Sequence, residues 1–149
     1  MSENYQSNIP DMPMKGHKFL IYFWLWLLAL LAVGGGVSNI RYLGALQSAG
    51  FLEQLKGVPL IYLQTGMSFI LAIYLIKVRF DLARFKASAP KSLTRALVLT
   101  AAVNLINVIF ASMNNVPIES SMYMAPIMNI ATMLCYRRYY NARDQYFVN

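Results

Sequence analysis

Asn104, Asn107 and Asn129 are the residues of this 149-residue chain whose types and spacing could do chemistry. Each falls near the middle of an apolar run, where an amide is costly unless it is used or paired. Carboxamides offer donors and acceptors without charge. The chemistry they could support is therefore hydrogen bonding to a small neutral solute along a narrow polar path. Interhelical glue is the competing role and the favoured one, since hydrogen bonds between helices in a bilayer contribute only about 0.6 kcal/mol each and are common packing devices.

Catalysis and metal binding find less support. His17 is the only histidine and Cys135 the only cysteine, so no metal set can be assembled from them. No G-x-S-x-G elbow, Walker loop or H-E-x-x-H motif is present. The chain is expected not to be an enzyme and to need no cofactor or metal. Cys135 is expected as a packed thiol near an interface rather than a reactive or acylated one. Met122, Met124, Met128 and Met133 are expected as gap fillers in a core rather than soft-metal ligands. Glu119 stands at the start of the fourth apolar run, where a helix dipole favours an acid, and this suits it better than a role in ion coupling. The centre of every run lacks Asp, Glu, Lys, Arg and His, which argues against proton-coupled export.

The second candidate group is basic. Lys77, Arg79, Arg84 and Lys86 alternate with Phe80, Leu82 and Phe85, as in an interfacial helix whose rings enter the bilayer while its cations meet lipid phosphates. Arg137, Arg138 and Arg143 repeat the pattern among tyrosines near the C-terminus. These seven residues are the expected contact surface for anionic headgroups or for a membrane protein partner, a second copy of the chain included. Orienting the chain in the membrane would by itself also explain the charges.

Such groups need elements to hold them, and composition names the class. Hydrophobic residues make up 58% of the chain and charged residues 13%, about half the charged share of an ordinary soluble domain. The net charge of +7 flanks apolar runs instead of forming one stripe on a soluble fold, so nucleic acid is not an expected partner. Four runs are long enough to span: 19–40, 58–76, 96–113 and about 118–135. The first reaches about 33 Å, more than a hydrocarbon core of about 30 Å. Pro117 opens the fourth run, and Pro126 inside it predicts a kink. The expected fold is an all-α integral membrane protein, an up-down-up-down four-helix transmembrane bundle.

Charge sets its direction. All thirteen Lys and Arg residues except Arg41 and Lys56 lie before the first run, between the second and third, or after the fourth. The positive-inside rule then makes both termini and the middle connection cytoplasmic, in a bacterial plasma membrane. A cleaved signal peptide would be the alternative for the first run, because Ala32, Val33 and Gly34 are small; the apolar run passes through them unbroken, so a span is favoured. Residues 1–16 are expected as a disordered tail and 17–149 as the membrane domain. Between the first two runs, Leu43, Leu46, Phe51, Leu52 and Leu55 fit either a surface-lying amphipathic segment or an ordinary loop.

Each run carries a stripe of small and polar residues at helical spacing: Ala29, Ala32, Gly36 and Asn39; Thr65, Ser68 and Ala72 beside Gln64; Ala96, Thr100, Asn104, Asn107 and Ala111; Ser121, Ala125, Asn129 and Thr132. Lipid tails give helices no hydrophobic reason to associate, so close approach and hydrogen bonds along such stripes must do it. Leu97, Val103, Ile106 and Phe110 are expected toward lipid or as gap fillers on the other sides of the third helix.

The segments Lys18-Phe-Leu-Ile-Tyr22, Val78-Arg-Phe-Asp-Leu-Ala-Arg-Phe-Lys86 and Tyr139-Tyr-Asn-Ala-Arg-Asp-Gln-Tyr-Phe-Val-Asn149 resemble uncharacterised four-span proteins of gut Firmicutes. The last is also loosely similar to the bacterial membrane family called domain of unknown function 2569. The resemblance implies a cytoplasmic-membrane location and four helices, and implies no activity. Some members carry an N-terminal zinc ribbon, for which this chain lacks the cysteines. The expected function is a non-catalytic accessory or regulatory component acting through its basic cytoplasmic loop and tail. The alternative is a small transporter or channel for a neutral solute, lined by the three asparagines.

Overall fold

A computed structural model describes residues 14–147, and among them helix is the only regular structure. Four long helices follow in order: α1 Lys15–Ser48, α2 Val58–Ala83, α3 Ala89–Met113 and α4 Ser120–Asn141. Short 3-10 turns occupy Leu52–Gln54 and Asp144–Tyr146. Of the expected N-terminal tail, residues 1–13 lie outside the described residues, while Lys15 and Gly16 are already helical. The first three helices are long and apolar enough to cross a membrane. Helix α4 has 22 residues but carries Ser120, Ser121, Asn129, Thr132, Arg137 and Arg138, and it falls short of the others in hydropathy.

Helices α1, α2 and α3 end in the same way, which makes the turns sharp. After α1, the N–H of Phe51 donates to the carbonyl of Leu46 at 3.0 Å and that of Gly50 to Gln47 at 3.2 Å, with Gly50 at φ 71°. After α2, Lys86 donates to Asp81 at 3.1 Å and Phe85 to Leu82 at 3.0 Å; after α3, Val116 donates to Ala111 at 3.0 Å and Asn115 to Ser112 at 3.4 Å. These are Schellman closures, which satisfy orphan carbonyls through one left-handed residue. Glycine takes that conformation freely and asparagine tolerates it. Phe85 takes it at φ 52°, at a cost of about 1–2 kcal/mol for a residue with a Cβ, so its ring must be held by something else.

The turns set alternate directions. Gly36 of α1 lies against Phe69 of α2 and the Arg79 guanidinium reaches Ile21, so these helices run antiparallel. Gly57 beside Met113 does the same for α2 and α3, and His17 beside Tyr140 sets the start of α1 against the end of α4. Sequential helices pack closely, whereas α1 and α4 make almost no close backbone contact.

The apolar core is concentrated at one end. Leu20, Leu25, Leu75, Val78, Leu82, Leu93 and Leu97 are fully buried, and all come from the start of α1, the end of α2 or the start of α3. Leu97 and Val103 therefore belong to the core and not to a lipid-facing side, because the short α2–α3 turn brings their face onto α2. A five-residue π-helical stretch, Leu20–Trp24, interrupts α1 in this region. Its Ile21 carbonyl accepts from Arg79 Nε at 3.3 Å, a partner supplied by the neighbouring helix.

Aromatic rings close this end. His17 is buried, its Nδ1 lies 2.8 Å from the Tyr140 hydroxyl, and its ring stacks on Phe85 at 5.0 Å. Phe147 from the C-terminal turn meets His17, Phe85 and Tyr140 edge-on or tilted at 5.2–6.1 Å. The three rings repay the strained backbone at Phe85 with packing. At the other end, Asn114 clamps the first connection: its Oδ1 accepts from the Lys56 N–H at 2.8 Å, and its Nδ2 donates to the Lys56 carbonyl at 2.9 Å and to Phe110 at 2.9 Å.

Several local expectations change. Residues 41–48 continue α1 instead of forming a separate segment, and α2 runs on to Ala83 before the basic turn. Cys135 is exposed, as are Met124 and Met128, because α4 buries only Pro126 and Tyr140. Glu119 is the residue before α4, with extended backbone, and its carboxylate accepts from Ser121 Oγ at 3.4 Å rather than capping a backbone N–H.

Two outcomes follow. A Cβ at Gly36 would lie 2.9 Å from the Phe69 ring, whereas Gly44 has open space around it. Gly36→Leu should lower stability by about 1–3 kcal/mol and Gly44→Leu should not, as read by thermal unfolding in detergent. Burial holds the His17 imidazole, which precedes the apolar run of α1, below its ordinary pKa. The unfolded chain then binds the proton more readily, so stability is full above about pH 6.5 and declines as the pH falls toward the folded value. The melting temperature should drop between about pH 7.5 and about pH 5.5, and His17→Phe should flatten that dependence.

Candidate functional site

Beyond the apolar end, the four stripes turn toward one another around a cavity of about 410 Å³. Asn104 and Asn107 of α3 line it with Asn129 of α4, Gln64 and Ser68 of α2, and Thr100 and Thr132. Helix α1 contributes Ala32, Gly35 and Trp24. The sequence stripes thus mark the right faces: Ala29, Gly36, Gln64, Ser68, Ala72, Ala96 and Ala111 are buried. The volume has a structural cause, because small residues replace bulk on these faces and α1 and α4 do not close on each other.

Hydrogen bonding distinguishes the lining residues. Ser68 Oγ donates to the Gln64 carbonyl at 2.9 Å and Thr100 Oγ1 to the Ala96 carbonyl at 2.9 Å, so both hydroxyls turn back onto their own helices. The carboxamides of Asn104, Asn107 and Asn129 bond to no other described residue. Trp24 has a buried indole N–H that is likewise without a partner among the described residues. The interhelical pairing expected of glue is therefore not made by these three asparagines. No ionisable side chain lines the cavity. Its chemistry is donor and acceptor groups beside the apolar walls of Leu28, Leu71 and Val103, the combination that orients a small uncharged ligand.

The basic residues divide into two sets. Arg79, besides its bond to Ile21, lies over the Trp26 ring at 5.5 Å and the Phe80 ring at 4.7 Å. Lys86 Nζ lies 2.7 Å from the buried Asp81 carboxylate, with Lys77 at 3.8 Å on its other oxygen. Arg143 donates to the Tyr139 carbonyl at 3.2 Å and stacks over that ring at 3.9 Å. These side chains hold the apolar end together. Arg84, Arg137 and Arg138 are exposed and make no ion pair among the described residues. Arg137 faces a separate cleft near the start of α3, with Lys91 and Arg95, neither of which had been singled out as a site residue.

Asp81 and Trp24 are the residues that sequence reasoning passed over. Asp81 stands alone among cations in the basic segment, a signal of internal pairing that could have been found. Trp24 gave no such sign, since an aromatic ring in an apolar run is ordinary. No protein-family profile, curated sequence or solved structure matches this chain.

Proposed function

We propose that the chain is a four-span protein of a bacterial plasma membrane, with both termini and the α2–α3 turn cytoplasmic, that binds a small uncharged polar solute in its central cavity and passes it across. The observation that carries this is the convergence of Asn104, Asn107 and Asn129 on one cavity without hydrogen bonds to one another or to the rest of the described chain. Amides that line a cavity beside apolar walls and have no partner in the described chain keep their donors and acceptors free for a solute or water. The uncharged lining suits passive movement of a neutral molecule, since ion coupling needs an ionisable group that the cavity does not contain.

Membrane placement is supported from outside the bundle. Leu30, Leu31, Ile70 and Ile73 are each 62–70% exposed, on faces that hydrocarbon would cover and water would not tolerate in such number. The weaker hydropathy of α4 fits a helix that turns Asn129 and Thr132 toward the cavity while Ile127, Ile130 and Leu134 stay outside.

An accessory or regulatory role at the inner surface, contacting anionic lipid or a partner membrane protein, is the second reading. It is favoured by the exposure of Arg84, Arg137 and Arg138. Charge reversal at Arg84 and Arg138 tests it without breaking the internal contacts of Arg79 and Lys86; unchanged co-purification and liposome binding would remove it.

For the solute reading, the protein reconstituted in liposomes should speed the entry of glycerol or urea in a stopped-flow shrinkage assay. Asn104→Leu and Asn129→Leu should each abolish most of that increment while leaving expression and melting temperature close to the parent. Loss of stability together with no flux in the parent would identify the asparagines as structural.

A further inference from the structure

We infer that the cleft between the start of α3 and the end of α4 is a binding site for the phosphate of an anionic phospholipid headgroup, held by Lys91, Arg95 and Arg137. The cleft has a volume of about 360 Å³ and is lined by these three cations with Thr94, Tyr140 and Asn141. That size is within the range of small-ligand sites. No carboxylate lines it, and none of the three cations makes an ion pair or hydrogen bond with another described residue.

Three unpaired positive groups gathered in one concavity repel one another, and an anion relieves that repulsion. Two guanidiniums supply planar pairs of N–H donors that match phosphate oxygens, and Lys91 adds a mobile ammonium. The positive end of the α3 dipole acts in the same direction. Thr94 turns its hydroxyl onto the Pro90 carbonyl at 3.1 Å, so the cations carry the recognition.

Position selects a lipid over a free ion. Lys91 and Arg95 immediately precede the apolar run of α3, and Arg137 follows that of α4, so the cleft opens at headgroup depth in the proposed membrane placement. The inference rests on that placement but not on the central cavity. Tyr140 connects it to the fold, since this residue lines the cleft and also partners His17. A headgroup in the cleft would therefore bear on the same ring cluster that closes the apolar end.

The test is lipid retention by the full chain in detergent, read by native mass spectrometry with phosphatidylglycerol and phosphatidylcholine offered together. The parent should retain phosphatidylglycerol preferentially. Neutralising Lys91, Arg95 and Arg137 to Gln should weaken that retention by about ten-fold or more, and the swap Lys91→Arg, Arg95→Lys, Arg137→Lys should keep most of it. Neutralising Lys15, Lys18 and Arg41, which are exposed and lie outside the cleft, removes equal charge and should leave retention nearly unchanged. Equal losses in the two neutralised variants would reduce the effect to net charge and overturn the site. Displacement of the lipid by millimolar inorganic phosphate would overturn the assignment to a headgroup. Liposome flux is read separately, so loss of either result leaves the other standing.

Discussion

The contact on which the rest of this structure depends is that of His17 with Tyr140 and Phe85. It joins the start of α1, the turn between α2 and α3, and the end of α4 in one buried cluster. Around it the fully buried leucines gather, so tight packing is confined to one end of the bundle. Burial raises the Tyr140 hydroxyl pKa well above its ordinary value, so it stays a neutral hydroxyl beside the imidazole. Fixing both chain ends there leaves α1 and α4 apart along the rest of their length, and the polar cavity occupies that gap.

A bundle built this way divides labour by depth. The apolar end supplies rigidity, with the buried Asp81 carboxylate pairing with Lys86 across the turn and Arg79 bonding the widened turn of α1. The middle supplies polar surface without charge. The far end is held by the Asn114 side chain, which pairs with Lys56 as a strand edge would, and so fixes the first connection without a hydrophobic cluster.

Electrostatics follow the same division. Cations that entered the apolar end are neutralised by a carboxylate, a carbonyl or a ring face, while those at its rim stay unpaired and collect beside α3. Linear charge density does not separate the two groups. Arg79 and Arg84 are five positions apart in one basic segment, yet one reaches across to α1 and the other is exposed, because α2 ends between them at Ala83.

What the amino-acid sequence determined by itself was the element pattern and the inward faces. Apolar runs of bilayer length predict the helices, and small or polar residues at three- and four-residue spacing mark the sides that meet, because both are periodicities of one helix. The same local logic misplaced Met124, Met128 and Cys135, and left Leu97 and Val103 open between a lipid face and gap filling, where they are buried in the core. Which side of a helix is covered depends on its neighbours, and α4 covers little. Only the tertiary structure decided that the three asparagines share a cavity without pairing, that Arg79, Lys86 and Arg143 turn inward, and that Lys91, Arg95 and Arg137 converge. Each of these is a meeting of residues from separate helices, or from a helix end and a turn, and the distance between such groups is set by packing, which no single stretch of sequence contains.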